Sequence, residues 1–475
     1  MNLELWREPV RRILNLGKEA RLDCILEALE KSAHPKKLYT MSEVRNPGFY
    51  EKSHHVRIGN TNNLDEVRSY ALEIKPDFAI ISPEEPLFLG IVDMLETMGI
   101  PCVGPRKDLA KLEWSKSFTR ELLSRNGIPG NPEHRIFRTP EGIEPYMKAL
   151  VDFVVKPDGL TGGKGVMVYG EHLHSIKQAL EYCTSLFKSG HNAVVIEEKL
   201  DGEEFSLQSF CDGRHVVDMP AVQDHKRAFD DDQGPNTGGM GSYSCEDHRL
   251  PFLSKSHIQQ ASGINAAVAQ AIAEETGQGF KGILYGGFMV TKDGLRLIEY
   301  NARFGDPEVM NVLPLLKTDF IDVCECIIEG TLDSLSISFD QKATVCKYIV
   351  PKGYPNNPEK GARITGGVPI SDDKLRVYYA AVDKTDDSLF LTGSRALAFV
   401  GIGETLAEAE RIAESAASKV GGPVRHRVDV GTSTLIQKRI DHVNRLSVRE
   451  RNVYLNSKST CNPTATPLDA VLAQS

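Results

Sequence analysis

Apolar positions along the chain fall into short runs alternating with helical repeats. Ile13–Leu16 is an apolar run of strand length that ends at Gly17. Leu22, Ile25, Leu26 and Leu29 follow at i, i+3, i+4 and i+7, the stripe of one helix face. Lys37–Thr40 reads as a second strand, Leu64–Ile74 as a helix and Phe78–Ile81 as a buried strand. A helix over Leu87–Met98 and a short strand at Pro101–Val103 close the series. This alternation predicts an open parallel, Rossmann-like sheet over residues 1–112, with ligands at the carboxyl ends of its strands. Gly17 and the turn Ser82-Pro83-Glu84-Glu85-Pro86 stand at such ends.

The period then changes. Glu113–Asn126 reads as a helix broken by Gly127-Ile-Pro-Gly-Asn-Pro132. Strands Val151–Lys156 and Val166–Tyr169 flank a glycine loop, and strand Ala193–Glu197 runs into a charged cluster. A further strand, Val216–Ala221, leads to Gln223-Asp-His-Lys-Arg227 and a second glycine-rich stretch, Gly234–Gly241. Lys255–Thr276 is a long helix with Ile264, Val268 and Ile272 in register and Gly277 as its stop. Gly282–Thr291 and Arg296–Asn301 read as neighbouring strands joined at Lys292-Asp-Gly294. Alternation along the second puts Leu295, Leu297, Glu299 and Asn301 on one face, and Ile298 and Tyr300 on the other.

A smaller α/β unit follows. Its strands are Thr344–Val350, Leu375–Ala381 and Ala396–Val400, and its helix opens at the capping box Thr405-x-x-Glu408 and ends at Gly421-Gly422. Gln437–Tyr454 is charged and compatible with a helix, and Asn456–Ser475, rich in Ser, Thr and Pro, is expected to be disordered. The fold class expected is α/β and α+β multidomain. Its parts are an N-terminal domain over 1–112, a central domain over 113–335 with a lid subdomain at 133–195, a C-terminal domain over 336–432 and an extension over 433–475.

Composition narrows the partners. The net charge of −9 comes without a basic run or basic–aromatic interleaving, which argues against nucleic acid. Nine cysteines are scattered with no Cys-x-x-Cys pair, and Cys324-x-Cys326 has poor metal spacing, so reduced thiols in a cytoplasmic protein are expected. No signal-type apolar region opens the chain, and no apolar run approaches membrane-spanning length. A monomer acting on small molecules is the expectation.

Two stretches carry candidate chemistry. In Pro157-Asp-Gly-Leu-Thr-Gly-Gly-Lys-Gly165, four of nine residues are glycine, which lets backbone N–H groups approach phosphate oxygens. Lys156 and Lys164 add positive charge. The loop joins two strands and lacks the Ser or Thr of a P-loop. Glu299 and Asn301 present a carboxylate and an amide on one strand face, a donor pair that suits Mg²⁺. A solvated edge strand ending in a turn accounts for the same two residues equally well.

The pieces in order resemble the glycinamide ribonucleotide synthetase family of ATP-grasp ligases. The segments that carry the resemblance are Ser82-Pro-Glu-Glu-Pro-Leu87, Leu112-Glu-Trp-Ser-Lys116, Val154-Val-Lys-Pro-Asp-Gly-Leu-Thr-Gly-Gly-Lys-Gly165 and Val195-Ile-Glu-Glu-Lys-Leu-Asp-Gly-Glu-Glu204. They continue with Gln223–Arg227, Gly234-Pro-Asn-Thr-Gly-Gly-Met-Gly241, Ile298-Glu-Tyr-Asn-Ala-Arg-Phe-Gly-Asp-Pro-Glu308 and Gly353-Tyr-Pro355, so the resemblance runs from about residue 77 to 432.

The resemblance implies ATP between two subdomains under a lid formed by Gly162, Gly163, Lys164 and Gly165. Lys116, Lys156 and Lys164 would serve the phosphates. Glu197, Glu198 and Leu200 would meet the adenine at the hinge, and Glu203 or Glu204 the ribose. Glu299 and Asn301 would hold Mg²⁺ or Mn²⁺. Gly17, Pro83, Glu84, Asp224, Arg227, Asn236 and Gly239 would bind glycine and the amino sugar phosphate, together with Lys226, Arg303 and Asp306, the three expected to act in catalysis. The chemistry implied is glycyl phosphate formation followed by attack of phosphoribosylamine. Positioning and charge neutralisation suffice for it without a protein nucleophile.

The N-terminus departs from the family pattern. The family's Gly-Ser-Gly-Gly-Arg-Glu-His loop is here Asn15-Leu16-Gly17-Lys18-Glu19-Ala20, and its Pro-Gly-Asn-x-Gly loop is only Asn46-Pro47-Gly48-Phe49. Both are expected beside the sugar phosphate. Two further readings therefore stand: a carboxylate–amine ligase with another amine, and a nucleotide-binding regulatory protein without turnover.

Overall fold

A computed structural model describes residues 9–159, 165–386 and 388–459; beyond residue 447 only the backbone of the last helix is described. The N-terminal sheet has five parallel strands in the order β3-β2-β1-β4-β5. They are β1 (Arg11–Leu16), β2 (Lys36–Ser42), β3 (His55–Ile58), β4 (Phe78–Ile81) and β5 (Cys102–Val103). Around them lie α1 (Ala20–Glu30), α2 (Pro47–Lys52), α3 (Leu64–Ile74), α4 (Glu84–Leu89) and α5 (Ile91–Thr97). The strand order reverses between β1 and β4, which brings Gly17 and Pro83 to the crevice where such sheets bind ligands.

Three expectations change here. The single helix over Leu87–Met98 is two, broken where Gly90 takes φ 91°. The helix over Glu113–Asn126 is α6 (Lys111–Trp114) and α7 (Lys116–Arg125), divided at the extended Ser115, whose side chain accepts from Phe118 N–H as the cap of α7. Finally, α2 and β3 are present where no periodicity marked them.

The lid is a four-stranded antiparallel sheet, β6 (His134–Phe137), β9 (Val194–Glu198), β7 (Phe153–Pro157) and β8 (Met167–Val168) in that order. Helices α8 (Ile143–Leu150) and α9 (Ile176–Lys188) close its own small core around Phe153, Val155 and Ile196. The central sheet has the order β11 (Val216–Asp218), β10 (Gly202–Asp212), β16 (Lys281–Thr291), β17 (Gly294–Asn301). Between β11 and β16 the chain forms β12 (Gln223–Asp224), β13 (Arg227–Phe229), β14 (Gln233–Asn236), β15 (Gly241–Ser244) and the long helix α10 (Lys255–Thr276). Ile264, Val268 and Ile272 of α10 are buried, as their spacing predicts, and Gly277 ends the helix in the left-handed region.

The pairing of β16 with β17 shifts by one residue. Gly287 lies opposite Glu299 and Phe288 opposite Leu297, which leaves Ile298 as an extra residue. Such a bulge reverses the inward–outward parity beyond it. Leu295, Leu297 and Tyr300 are therefore all buried, and Glu299 and Asn301 do not share the face of Leu295 and Leu297.

After α11 (Val309–Val312) and α12 (Phe320–Glu329), strand β18 (Ala343–Pro351) pairs with β15 on one side and with Leu397–Gly403 on the other. Leu375–Tyr379 continues this sheet beyond Leu397–Gly403, and α13 (Leu406–Ala417) packs on it. Thr405 caps α13 by accepting from Glu408 N–H at 3.3 Å. The helix ends at Ala417, and Gly421 belongs to the short strand Val420–Gly421 rather than to a helix stop. The last helix, α14 (Ser433–Ser459), packs on β10 through buried Leu435, Ile436, Val443 and Leu446. It includes Asn456–Ser459, expected to be disordered; residues 460–475 of that expectation lie outside the described residues.

Candidate functional site

The cleft is lined by Glu204 and Phe205 of β10, Tyr285 and Gly287 of β16, and Ile298 and Glu299 of β17, with Asp224 and Lys226 across it. Glu203 and Glu204 are strand neighbours with opposite facing. Glu204 points into the cleft and pairs with Lys226 Nζ at 3.0 Å, which keeps that ammonium charged. Glu203 points to the back of the sheet, where its carboxylate meets His442 of α14 at 2.7 Å.

Glu299 has no hydrogen-bonding or ion-pair partner among the described residues. Burial works against its ionisation, yet Lys116, Lys226, Lys156 and Arg303 hold it below the usual carboxylate range. Asn301, opposite the cleft residue Tyr285, has no side-chain partner among the described residues either. Two unengaged oxygen donors, one charged, on one side of a strand fit a hard divalent cation.

Lys156 and Glu197 face each other across β7 and β9. Lys156 Nζ lies 2.7 Å from Glu197, which also takes a two-pronged contact from Arg120 of α7 at 2.6 and 3.0 Å. Burial raises the Glu197 carboxyl, but the two cations bring it down to about 2. The same cations hold the bulge: the Ile298 carbonyl accepts from Arg120 at 2.7 Å and from Lys156 at 3.2 Å. Lys116 Nζ donates to the Glu113 carbonyl at 3.1 Å. Glu198 binds the Glu133 N–H through its carboxylate at 2.9 Å, and Leu200 lies in the link from β9 to β10. Gly165 accepts from the Tyr182 hydroxyl at 2.7 Å; Gly162, Gly163 and Lys164 lie outside the described residues.

At the mouth, Arg303 bonds Glu113 at 2.8 Å and Glu84 at 3.3 Å. Glu113 also accepts from Ala302 N–H at 2.8 Å, tying α6 to the end of β17. Despite burial, Arg303 and Arg21 hold Glu84 at about 2. Pro83 caps α4, Gly17 N–H donates to the Met41 carbonyl at 3.3 Å, and Lys18 pairs with Glu43 at 2.9 Å. Asn46 is buried, caps α2 and donates to the Tyr379 carbonyl at 2.7 Å. Through Asn46 this loop, expected beside the sugar phosphate, also joins the N-terminal domain to the C-terminal one.

Asp306 takes a hydrogen bond from the Tyr348 hydroxyl at 2.6 Å and an ion pair from Arg395 at 3.2 Å. Arg395 also donates to the carbonyls of Gly238, Gly239 and Asp306. Asp224 Oδ1 is buried with no partner among the described residues, and burial, then Glu308, push its carboxyl well above the usual range. Arg227 pairs with Glu171 at 2.7 Å outside the cleft, and Asn236 is exposed opposite it.

Gly239 has φ 108°, and an added Cβ would lie 2.6 Å from Pro307 Cδ and 2.7 Å from Asp224 Oδ1. Gly239→Ala is therefore expected to displace Asp224 and, if that carboxylate contacts the substrate, to lower kcat/KM at least tenfold, roughly what a misplacement below 1 Å costs. An unaltered kcat/KM would remove Asp224 from the site.

Sequence reasoning missed Arg21, Glu113, Arg120, Tyr348 and Arg395. Glu113 lies inside the Leu112–Lys116 motif and was open to discovery there; the others are isolated residues whose partners are distant in the chain.

Three domain models match in order: Phosphoribosylglycinamide synthetase N domain over residues 11–113, ATP-grasp (A) domain over 114–309 and C domain over 344–433. The N-domain match takes in the stretch before residue 77 that the motifs left out. A phosphoribosylamine–glycine ligase of Methanocella arvoryzae is 46% identical over 432 residues, 91% of this chain and 99% of that protein. One from Methanocaldococcus jannaschii is 46% identical over 447 residues, 92% of this chain and 99% of that protein. The crystal structure of phosphoribosylamine–glycine ligase from Thermotoga maritima superposes with a TM-score of 0.74 at 28% identity, over 88% of this chain and 99% of that one.

Proposed function

This chain belongs to the phosphoribosylglycinamide synthetase family, all three of whose domains it carries in order, and from that premise we infer how its cleft works. The reaction is the ATP-dependent joining of glycine to phosphoribosylamine in purine biosynthesis, giving glycinamide ribonucleotide, ADP and phosphate. A carboxylate must be activated before an amine can displace its oxygen. A glycine carboxylate oxygen attacks the γ-phosphorus and ADP leaves; the amine then attacks the acyl carbon, phosphate leaves, and the nitrogen loses a proton. Ligation to another amine and binding without turnover are not favoured, since relatives of this name align with more than nine-tenths of the chain, including its N-terminal domain.

The observation that carries the site assignment is the pair of unengaged side chains Glu299 and Asn301, of which Glu299 lines the cleft with Lys226 and also feels the charges of Lys116 and Lys156. Glu299 and Asn301 hold the divalent cation, Mg²⁺ or Mn²⁺. When bound, that ion neutralises charge on the transferring phosphoryl group. Lys116 and Lys156 attract the phosphates beside Gly165, and the roles expected of Gly162, Gly163 and Lys164 fall on residues outside those described. Backbone groups of Glu197, Glu198 and Leu200 meet the adenine, and Glu204, the member of its pair that faces the cleft, meets the ribose. Asp224 takes the ammonium of glycine, a charge its buried, unpartnered oxygen lacks. Lys226, Arg303 and Asp306 surround the reacting carboxylate. Gly17 and the amino end of α1, with Pro83 and Glu84 beside it, take the sugar phosphate, and Arg227 and Asn236 form the rim. No helix among the described residues is long and apolar enough to cross a membrane. We read the protein as a cytoplasmic monomer.

Asp224→Asn is expected to raise the KM for glycine about tenfold to a hundredfold, the worth of one charged hydrogen bond, with the KM for ATP little changed. A coupled ADP assay with glycine and phosphoribosylamine varied in turn measures both. ADP release that ignores phosphoribosylamine but responds to another amine would overturn the substrate reading.

A further inference from the structure

Helix α14 begins where the matched C domain ends, at residue 433, and no role for it follows from the family domains. It nevertheless reaches the back of the cleft. On β10, His442 Nδ1 lies 2.7 Å from Glu203, and Arg439 Nε lies 3.4 Å from the same carboxylate. Glu203 is the strand neighbour of Glu204, the cleft partner of Lys226.

The second arm runs through Asp232. Arg439 forms an ion pair with it, and Arg427, fully buried, bonds its other oxygen at 3.0 Å. The same Arg427 Nη1 donates to the Arg227 carbonyl at 3.1 Å. Behind them, Asp232 lies 3.8 Å from the buried ring of His225, which stacks on Tyr243 and has no hydrogen-bonding partner among the described residues. The segment 224–227 thus has two sides. Asp224 and Lys226 line the cleft, while His225 and the Arg227 carbonyl rest against a cage of Asp232 and two guanidinium groups.

We propose that Arg439 and His442 of α14 are positioning residues for the site, holding Asp224 and Lys226, on its glycine side, from behind through Asp232, and Glu204, its ribose contact, through Glu203. This rests on Asp224 being a glycine contact. Neither residue touches the cleft, so each acts only through the groups it anchors. Arg427 still holds Asp232 when Arg439 is removed, so the fold persists while the segment loosens.

The test compares Arg439→Ala, Arg439→Lys, His442→Ala and Asp224→Asn in the full chain, by steady-state kinetics and thermal unfolding. Arg439→Ala is expected to raise the KM for glycine roughly tenfold, leave that for ATP within about twofold and shift Tm by only a few degrees. Arg439→Lys should recover most of the loss, since it restores a cation beside Asp232. His442→Ala, which reads the Glu203 arm alone, should raise the KM for ATP about threefold and leave that for glycine within about twofold. Unchanged glycine KM in Arg439→Ala, beside a raised one in Asp224→Asn, overturns the Asp232 clamp, and an unchanged ATP KM in His442→Ala overturns the Glu203 arm. Loss of kcat/KM for both substrates in step with a fallen Tm, without recovery in Arg439→Lys, overturns it in favour of a purely structural helix. An unchanged glycine KM in Asp224→Asn overturns the site reading beneath it.

Discussion

Glu299→Gln is expected to give a folded protein that turns over about a hundredfold to a thousandfold more slowly, the usual loss when one preorganised electrostatic contact to a reacting group is removed. The change is isosteric, and the strand's packing rests on Leu295, Leu297 and Tyr300. What disappears is the negative charge among Lys116, Lys226 and Lys156, one of the two donors assigned to the divalent cation. The Mg²⁺ concentration for half-maximal rate should rise, and a chelator should abolish turnover in the unaltered protein. Steady-state rates at saturating ATP across a Mg²⁺ titration measure all of this. A rate near that of the unaltered protein at saturating ATP and Mg²⁺ would sink the metal assignment.

The largest stability effect is expected at Arg120→Met, a loss of roughly 3 kcal/mol, since removing one of two cations leaves a buried carboxylate under-compensated. Glu197 would keep only Lys156, and the Leu297 carbonyl would lose its donation from Arg120 Nη1. The pH dependence follows from the carboxyl's position. Folded, it sits at about 2, below its ordinary 4.5. Its stabilisation is therefore fully present above pH 4.5 and fades as pH falls toward 2. Without Arg120 the carboxyl rises toward ordinary values and can take up a proton sooner. The deficit of the variant should thus shrink between pH 7 and pH 4. Denaturant midpoints at the two pH values measure it; an equal deficit at both would show that charge is not what Arg120 contributes.

Much of this molecule is written in local pattern. Leu64–Ile74, Phe78–Ile81 and Lys255–Thr276 have in the structure the bounds their patterns predict, because the two helices each bury one face and the strand, interior to its sheet, buries both. Residue types alone also carry the chemistry proposed for the cleft: glycines beside lysines for phosphate, and a carboxylate and an amide two apart for a divalent cation.

Other features depended on partners far along the chain. Strict alternation groups Glu299 with Leu295 and Leu297, but the bulge at Ile298 turns it to the cleft, and the carbonyl there is held by Arg120, 178 residues away. Strand parity tells Glu203 and Glu204 apart only in relation to a partner; α14 on one side and Lys226 on the other decide which faces the cleft. Nothing in Asn46-Pro47-Gly48-Phe49 announces that Asn46 also bonds the Tyr379 carbonyl, 333 residues on, and so joins two domains. Arg395 and Tyr348 reach Asp306 from a separate sheet. Periodicity reports which residues are buried by their own element's face. A hydrogen bond to a distant carbonyl or carboxylate obeys no period, so the sequence by itself determined the elements and the donor chemistry, while tertiary packing decided which way the functional side chains point.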